Sequence, residues 1–171
     1  MTKIEQKLIE YALDSENAKI NYELALEYDN LNQIASAISH YIRCAERTDE
    51  PLLAYECLLR GGIATKRQGM RIHTEKSFFQ NAVNICPERP EAYSFLAEVL
   101  TEKGDHHHAY TYICIGVNCA KNEHPNLLNP IKNYGGLIEL KIKKLIYAKK
   151  CGIEDIDNDI SFLNNLIKHV K

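Results

Sequence analysis

Apolar residues recur along most of this chain at spacings of three and four, the period of one helix face. Ile20, Leu24, Tyr28 and Leu31 follow that rhythm, and Ile34, Ala37, Ile38, Tyr41, Ile42 and Ala45 repeat it on the next segment. Between them stands Asp29-Asn30-Leu31-Asn32, a polar turn too short for anything but an antiparallel helix pair. A third helix fits residues 51–66, with Pro51 in the first turn, where its missing N–H does no harm. Gly69 breaks that run, a fourth helix fits residues 71–86, and Pro87 and Pro90 punctuate again. Two more helices flank Lys103-Gly104-Asp105. After a longer loop at 122–130, a further helix ends near Cys151-Gly152, and the last carries Ile156, Ile160, Leu163, Leu166, Ile167 and Val170. Ile4, Leu8 and Leu13 mark a short helix ahead of them all. The expectation is an all-α chain.

The alternation is itself a repeat. With Ala37 aligned on Ala109, the pattern recurs 72 residues later: Leu24-Ala25 falls on Leu96-Ala97, Tyr28 on Leu100, Tyr41 on Ile113 and Cys44 on Gly116. Small residues stand where paired helices cross closely, and large ones fill the space beside them. The period is near twice the roughly 34 residues of a tetratricopeptide hairpin.

Tyr93-x-x-Leu96-Ala97-x-x-Leu100-x-x-x-Gly104-x-x-x-x-Ala109-x-x-x-Ile113-x-x-Gly116 resembles a tetratricopeptide (TPR) repeat. Residues 17–49 resemble a second copy, and 51–87 a stretched one ending in Pro87. The first signature position carries Asn21 and Tyr93 in place of tryptophan. A narrower resemblance covers residues 87–152. Pro87-x-Arg89-Pro90-Glu91-Ala92, Lys103-Gly104, Ala109-Tyr110, Pro125, Leu128, Tyr134, Glu139-Leu140 and Gly152 are similar to helical-repeat regions attached to family 2 glycosyltransferases in bacteria and in phages or viruses. That implies a sugar-transfer setting without the catalytic α/β domain. The fold expected is an α-solenoid of about four antiparallel hairpins at roughly 17–47, 51–86, 90–120 and 127–170, forming a single TPR-like domain over 1–171, with the last helix as its cap.

Composition changes this picture little. The 171 residues are 45% apolar and 26% charged, with a formal charge of -2, ordinary for a globular chain able to bury its own core. Residues 1–50 hold five basic and ten acidic side chains and the rest sixteen and thirteen, a mild asymmetry that gives no broad reason to expect nucleic acid. The charged start carries no signal-peptide stretch, and no run reaches the roughly 20 apolar residues of a membrane span. Cys44, Cys57, Cys86, Cys114, Cys119 and Cys151 contain no Cys-x-x-Cys pair and sit mostly among helix-periodic residues, so they are read as reduced and buried in a cytoplasm. The location expected is cytoplasmic: the host cytoplasm, or the virion if the source is viral.

Candidate chemistry is sparse. His106-His107-His108 point about 100° apart on a helix, so they cannot chelate one ion together, and Asp105 can cap that helix. Asp155-x-Asp157-x-Asp159 places carboxylates in a helix first turn, where the macrodipole favours them; as a calcium loop it fails at Ile160 and Leu166. Lys141, Lys143, Lys144, Lys149 and Lys150 read as the solvated face of an amphipathic helix. Arg43, Arg47, Arg60, Lys66, Arg67 and Arg71 lie among Glu46, Asp49, Glu50 and Glu56, which points to local ion pairs. No nucleophile elbow, phosphate loop or zinc-protease pattern occurs.

The function expected is non-catalytic: a protein-interaction scaffold or adaptor with a concave surface built by the first helix of each pair. The TPR resemblance nominates Lys19, Tyr22, Leu26, Asp29 and Asn30 in the first repeat, and Glu91, Ser94, Glu98, Thr101 and Glu102 in the best-matched one. Glu56 and Arg60 are the nominees of the stretched repeat. The partner expected is another protein or a peptide, with no membrane and no specific nucleic acid, with self-association left open, and with no cofactor and no metal. The alternative is an accessory region of a glycosyltransferase system that touches glycan or nucleotide sugar. Sugar sites want an aromatic platform, and only Tyr22, flanked by Tyr93, is on offer.

Overall fold

The structure, a computed structural model, describes residues 2–69, 72–131, 134, 136–153 and 161. Ile156, Ile160, Leu163, Leu166, Ile167 and Val170 of the expected cap, the Asp155, Asp157 and Asp159 carboxylates, and Arg71 lie outside the described residues. Among the described residues the chain forms helices and no strand: α1 Lys3–Leu13, α2 Ala18–Asn30, α3 Ile34–Arg47, α4 Pro51–Gln68, α5 Ile72–Ile85, α6 Pro90–Glu102, α7 His106–Cys119 and α8 Gly136–Lys150.

Local chemistry sets the ends. Thr2 and Glu5 close a capping box on α1, the Glu5 amide donating to Thr2 Oγ1 at 3.3 Å and the Thr2 amide to Glu5 Oε2 at 2.7 Å. Asn17 accepts from the Ile20 amide at 3.1 Å to start α2, and Asp105 accepts from the His108 amide at 3.3 Å to start α7. Pro51 and Pro90 stand in the first turns of α4 and α6. Gly69 ends α4 with φ at 74°, a left-handed conformation that side-chain-bearing residues resist.

Packing divides the chain into two compact units, Met1–Pro87 with Asn126–Asn129, and Glu88–Pro125 with Pro130–Lys171. In the first, α1 packs on α2, α2 on α3, α3 on α4 and α4 on α5. Its core joins Tyr22, Ala25, Ala37, Tyr41, Cys44, Leu53 and Cys57. In the second, α7 packs between α6 and α8. The 72-residue echo is a packing repeat: Leu24, Ala25, Ala37 and Tyr41 are fully buried, and so are Leu96, Ala97, Ala109 and Ile113. Gly116, the counterpart of buried Cys44, brings α7 so close to α6 that an added Cβ would stand 3.1 Å from Tyr93 Cβ and 3.5 Å from the Pro90 carbonyl. Ala109→Leu is therefore expected to cost about 1–3 kcal/mol by overpacking, read as a fall in the denaturant midpoint.

The missing tryptophan is replaced differently in the two copies. Tyr93 is buried against α7. Asn21 is fully buried and donates from Nδ2 to the Ser15 and Asn17 carbonyls at 2.9 and 2.8 Å. Its Oδ1 lies 2.9 Å from His40 Nδ1, which makes that ring nitrogen the protonated one. His40 is stacked on Tyr28 and meets the edge of Tyr11, with ring centroids 5.4 and 5.2 Å away. Burial lowers its pKa below the ordinary histidine value. An unfolded chain then takes up that proton first, so the neutral ring's contribution is complete above about pH 6.5 and is lost as pH falls below it. Urea unfolding should show lower stability at pH 5 than at pH 8, with part of the difference abolished in His40→Gln.

The apolar period overcounts. Leu31 caps α2 and is 54% exposed, Ile42 is 37% exposed on α3, and Leu8 and Leu13 of α1 are 39% and 84% exposed. The six cysteines are thiols rather than disulfides, and Cys114, Cys119 and Cys151 are half-buried rather than buried. Tyr41 carries a hydroxyl that is buried without a hydrogen-bond partner. Leaving such a group unmet costs about 1–3 kcal/mol, so Tyr41→Phe should leave the melting temperature unchanged or raise it.

Candidate functional site

Tyr22 projects from the second turn of α2, and Glu56 and Arg60 lie one turn apart on α4, so the α2–α3–α4 packing brings a phenol, a carboxylate and a guanidinium together. Glu56 is fully buried, an expensive place for a carboxylate unless donors surround it. They do. Tyr22 donates its hydroxyl to Glu56 Oε1, and Arg60 Nε donates to the same oxygen at 2.9 Å.

The remaining donors come from residues 126–129, which belong to the same compact unit. The Leu128 amide donates to Glu56 Oε2 at 2.7 Å, and the Asn129 amide to Oε1 at 3.1 Å. Asn129 Nδ2 donates to the Tyr22 hydroxyl at 2.6 Å, and Arg60 Nη2 donates to the Asn129 carbonyl at 2.6 Å. The cluster thus grips a short stretch of polypeptide by its backbone and one amide side chain. Burial and the hydrogen bond to Glu56 push the Tyr22 phenol well above its usual range, so it stays a neutral donor. Burial opposes the charge on Arg60, but the bond and charge of Glu56 outweigh it and raise the pKa. Beside this grip a cleft of about 630 Å³ is lined by Lys19, Tyr22, Leu26, Leu53 and Leu128, among others.

The other nominated residues go elsewhere. Asp29 pairs with Arg67, which also donates to Asn32 Oδ1 at 2.8 Å, and Asn30 is exposed at the end of α2. In the second unit, Glu91 is buried and takes Arg89 at 2.5 and 3.3 Å, and Arg89 donates to the Pro125 carbonyl at 2.7 Å. Ser94 accepts from Lys143 Nζ at 3.1 Å, and Glu98 pairs with the same ammonium at 2.6 Å. Thr101 donates back to the Ala97 carbonyl at 2.9 Å, and Glu102 is exposed.

Sequence reasoning missed several contributors. Lys143 was expected in a solvated stripe, yet it is half-buried between Glu98 and Glu139, whose charges outweigh burial and raise its pKa. Of the basic cluster, Arg47 and Arg67 find Glu16 and Asp29, acids outside the neighbourhood in sequence. Leu128 and Asn129 offered no signal for this site, because apart from the Asn129 side-chain amide what they contribute is backbone.

These hairpins define the class of fold: an all-α, TPR-type solenoid. The crystal structure of MamA matches with a TM-score of 0.71 at 14% identity, over 96% of this chain and 85% of that one. The Pseudomonas aeruginosa PilF structure gives 0.71 at 13% identity over 97% of this chain and 66% of that one. TTC0263, a thermophilic TPR protein in Thermus thermophilus, gives 0.53 at 17% over 96% and 89%. At such identities the likeness carries the fold alone. No protein-family model matches the chain, and no curated protein matches it in sequence.

Proposed function

We propose that this chain is a non-catalytic protein-interaction scaffold that takes polypeptide on the first-helix faces of its hairpins. One observation carries the reading: Tyr22, Glu56 and Arg60, all nominated as groove positions, hold a stretch of backbone by its amides and a carbonyl. Main-chain contacts of that kind recognise polypeptide with little dependence on its side chains. Among the described residues no group of three His, Cys, Asp or Glu side chains could hold a metal ion, and no described helix is long and apolar enough to cross a membrane.

A glycosyltransferase setting rests on the sequence resemblance in residues 87–152 alone. A cytoplasmic or virion-associated location is proposed on the spacing of the cysteines. We also read residues 1–171 as one domain, for which coincident unfolding transitions by circular dichroism and tyrosine fluorescence are the expected result. The function is tested by screening the purified chain on a peptide array while assaying nucleotide-sugar turnover. Peptide binding weakened by Arg60→Ala, without turnover, is expected; turnover abolished by Asp157→Asn would overturn the scaffold reading.

A further inference from the structure

We propose that Tyr22, Glu56 and Arg60 form a peptide site that residues 126–129 occupy in cis, and that a partner's segment, bent as residues 128 and 129 are and carrying a residue with a free amide followed by Asn, takes the same place in trans. The inference deepens the scaffold reading and rests on it only for its biological use.

The seat is built for an occupant. Glu56 Oε2 accepts from the Leu128 amide, and Glu56 Oε1 gains the Asn129 amide beside its two donors from α2 and α4. With residues 126–129 withdrawn, Oε2 keeps no donor from the protein; it is those residues, with α2 and α4, that bury Glu56 in the closed state. A buried acceptor left so must be met by water or by another N–H. Arg60 Nη2 and the Tyr22 oxygen lose their partners at the same moment, so one displacement frees an acceptor for two amides, a donor for a carbonyl and an acceptor for a side-chain amide.

The occupant is held mainly by bonds that another segment can repeat. They involve backbone or the Asn129 side-chain amide, and of the segment's two leucines Leu128 is 60% exposed while Leu127 is half-buried. An incoming segment repeats each hydrogen bond that it breaks. The exchange is close to even in hydrogen bonds, so additional contacts along the adjoining cleft, where Leu26 and Leu53 are available, decide which segment wins. The chemistry selected is an Asn preceded by any residue other than proline, since that residue and the Asn must both supply an N–H.

The probe is a labelled, end-blocked peptide of residues 125–130, Pro-Asn-Leu-Leu-Asn-Pro, added to the full chain. Asn129→Pro removes both the Asn129 amide donor and its side-chain donor from the occupant in cis, and is expected to bind the probe at least tenfold more tightly than wild type. Replacing the probe's second Asn with Ala, or adding Tyr22→Phe to that variant, should reverse the gain. Amide exchange on wild type gives an independent reading that does not depend on the variant folding. The Leu128 and Asn129 amides are expected to exchange at least tenfold faster than hydrogen-bonded amides within α2 and α4, through opening of the segment alone. Equal affinity of folded Asn129→Pro and wild type for the probe overturns the proposal, and so does exchange of both amides in step with the helices. Either failure leaves a scaffold that binds its partner elsewhere untouched, whereas an empty peptide array would leave the exchange in cis standing.

Discussion

Glu56→Ala is expected to lower the unfolding free energy by about 3–5 kcal/mol, the range for breaking a buried ion pair by removing one member. The carboxylate is the common acceptor for the Tyr22 hydroxyl, Arg60 Nε and the amides of Leu128 and Asn129. Truncation leaves all of them facing a cavity, with the Arg60 side chain only 13% exposed and its charge uncompensated. Glu56→Gln should fall between wild type and Glu56→Ala, since one acceptor oxygen survives but an NH₂ is turned on donors. The control is Glu46→Ala. Glu46 is 65% exposed and pairs with Arg47 at 3.5 Å, so its loss should cost under about 1 kcal/mol. Urea titrations of the three variants measure the order directly; a Glu56→Ala cost no larger than that of Glu46→Ala would mean the buried cluster is not formed in solution.

The second large effect concerns Gly61-Gly62 in the middle of α4. Two adjacent glycines cost about 1 kcal/mol each in helix propensity, so packing must outweigh them. A Cβ on Gly62 would stand 2.6 Å from Phe79 Cε1 and 2.8 Å from Cζ, and one on Gly61 would stand 2.6 Å from Phe78 Cε1. The rings of α5 rest against bare backbone. Phe79 is fully buried and has nowhere to retreat. Phe79→Ala should therefore cost about 3–5 kcal/mol as a core truncation, and Gly62→Ala about 1–3 kcal/mol as an overpacking, despite its gain in propensity. The decisive measurement is the double variant. With the ring gone, the clash is gone and the propensity gain remains, so Gly62→Ala in the Phe79→Ala background should become neutral or stabilising. A double-mutant cycle in chemical denaturation reads the change of sign. Additive costs would show that the ring does not rest on Gly62.

Both effects sit at points that periodicity passes over. A Gly-Gly pair reads as a weak spot in a helix until Phe78 and Phe79 are seen lying on it. Glu56 and Arg60 read as groove residues of the stretched repeat and as members of a local ion pair; that α2 and residues 126–129 close around them is seen only in the structure. Lys143 is the same case in the second unit. It stood in a basic run, yet the α6 carboxylate Glu98 and the α8 carboxylate Glu139 draw it into the protein.

Among the described residues, what the sequence by itself determined is the helices and the packing of α2 on α3, α4 on α5 and α6 on α7. Capping residues, proline and glycine breaks and apolar spacing act over a few residues, and that is the range in which backbone hydrogen bonds of a helix are satisfied. The hairpin partners followed because connections such as 31–33 leave the chain no other direction to turn. The crossings at Ala37 and Ala109 were legible for the same reason, since side-chain size at a repeated position fixes how close two helices come. Only the tertiary structure decided which polar groups are buried and what meets them. A buried charge is defined by donors that arrive from distant points in the chain, and the Glu56 carboxylate is met by amides 72 and 73 residues away. Those amides belong to the backbone, which is the same at every residue except proline, so no side-chain pattern could announce them.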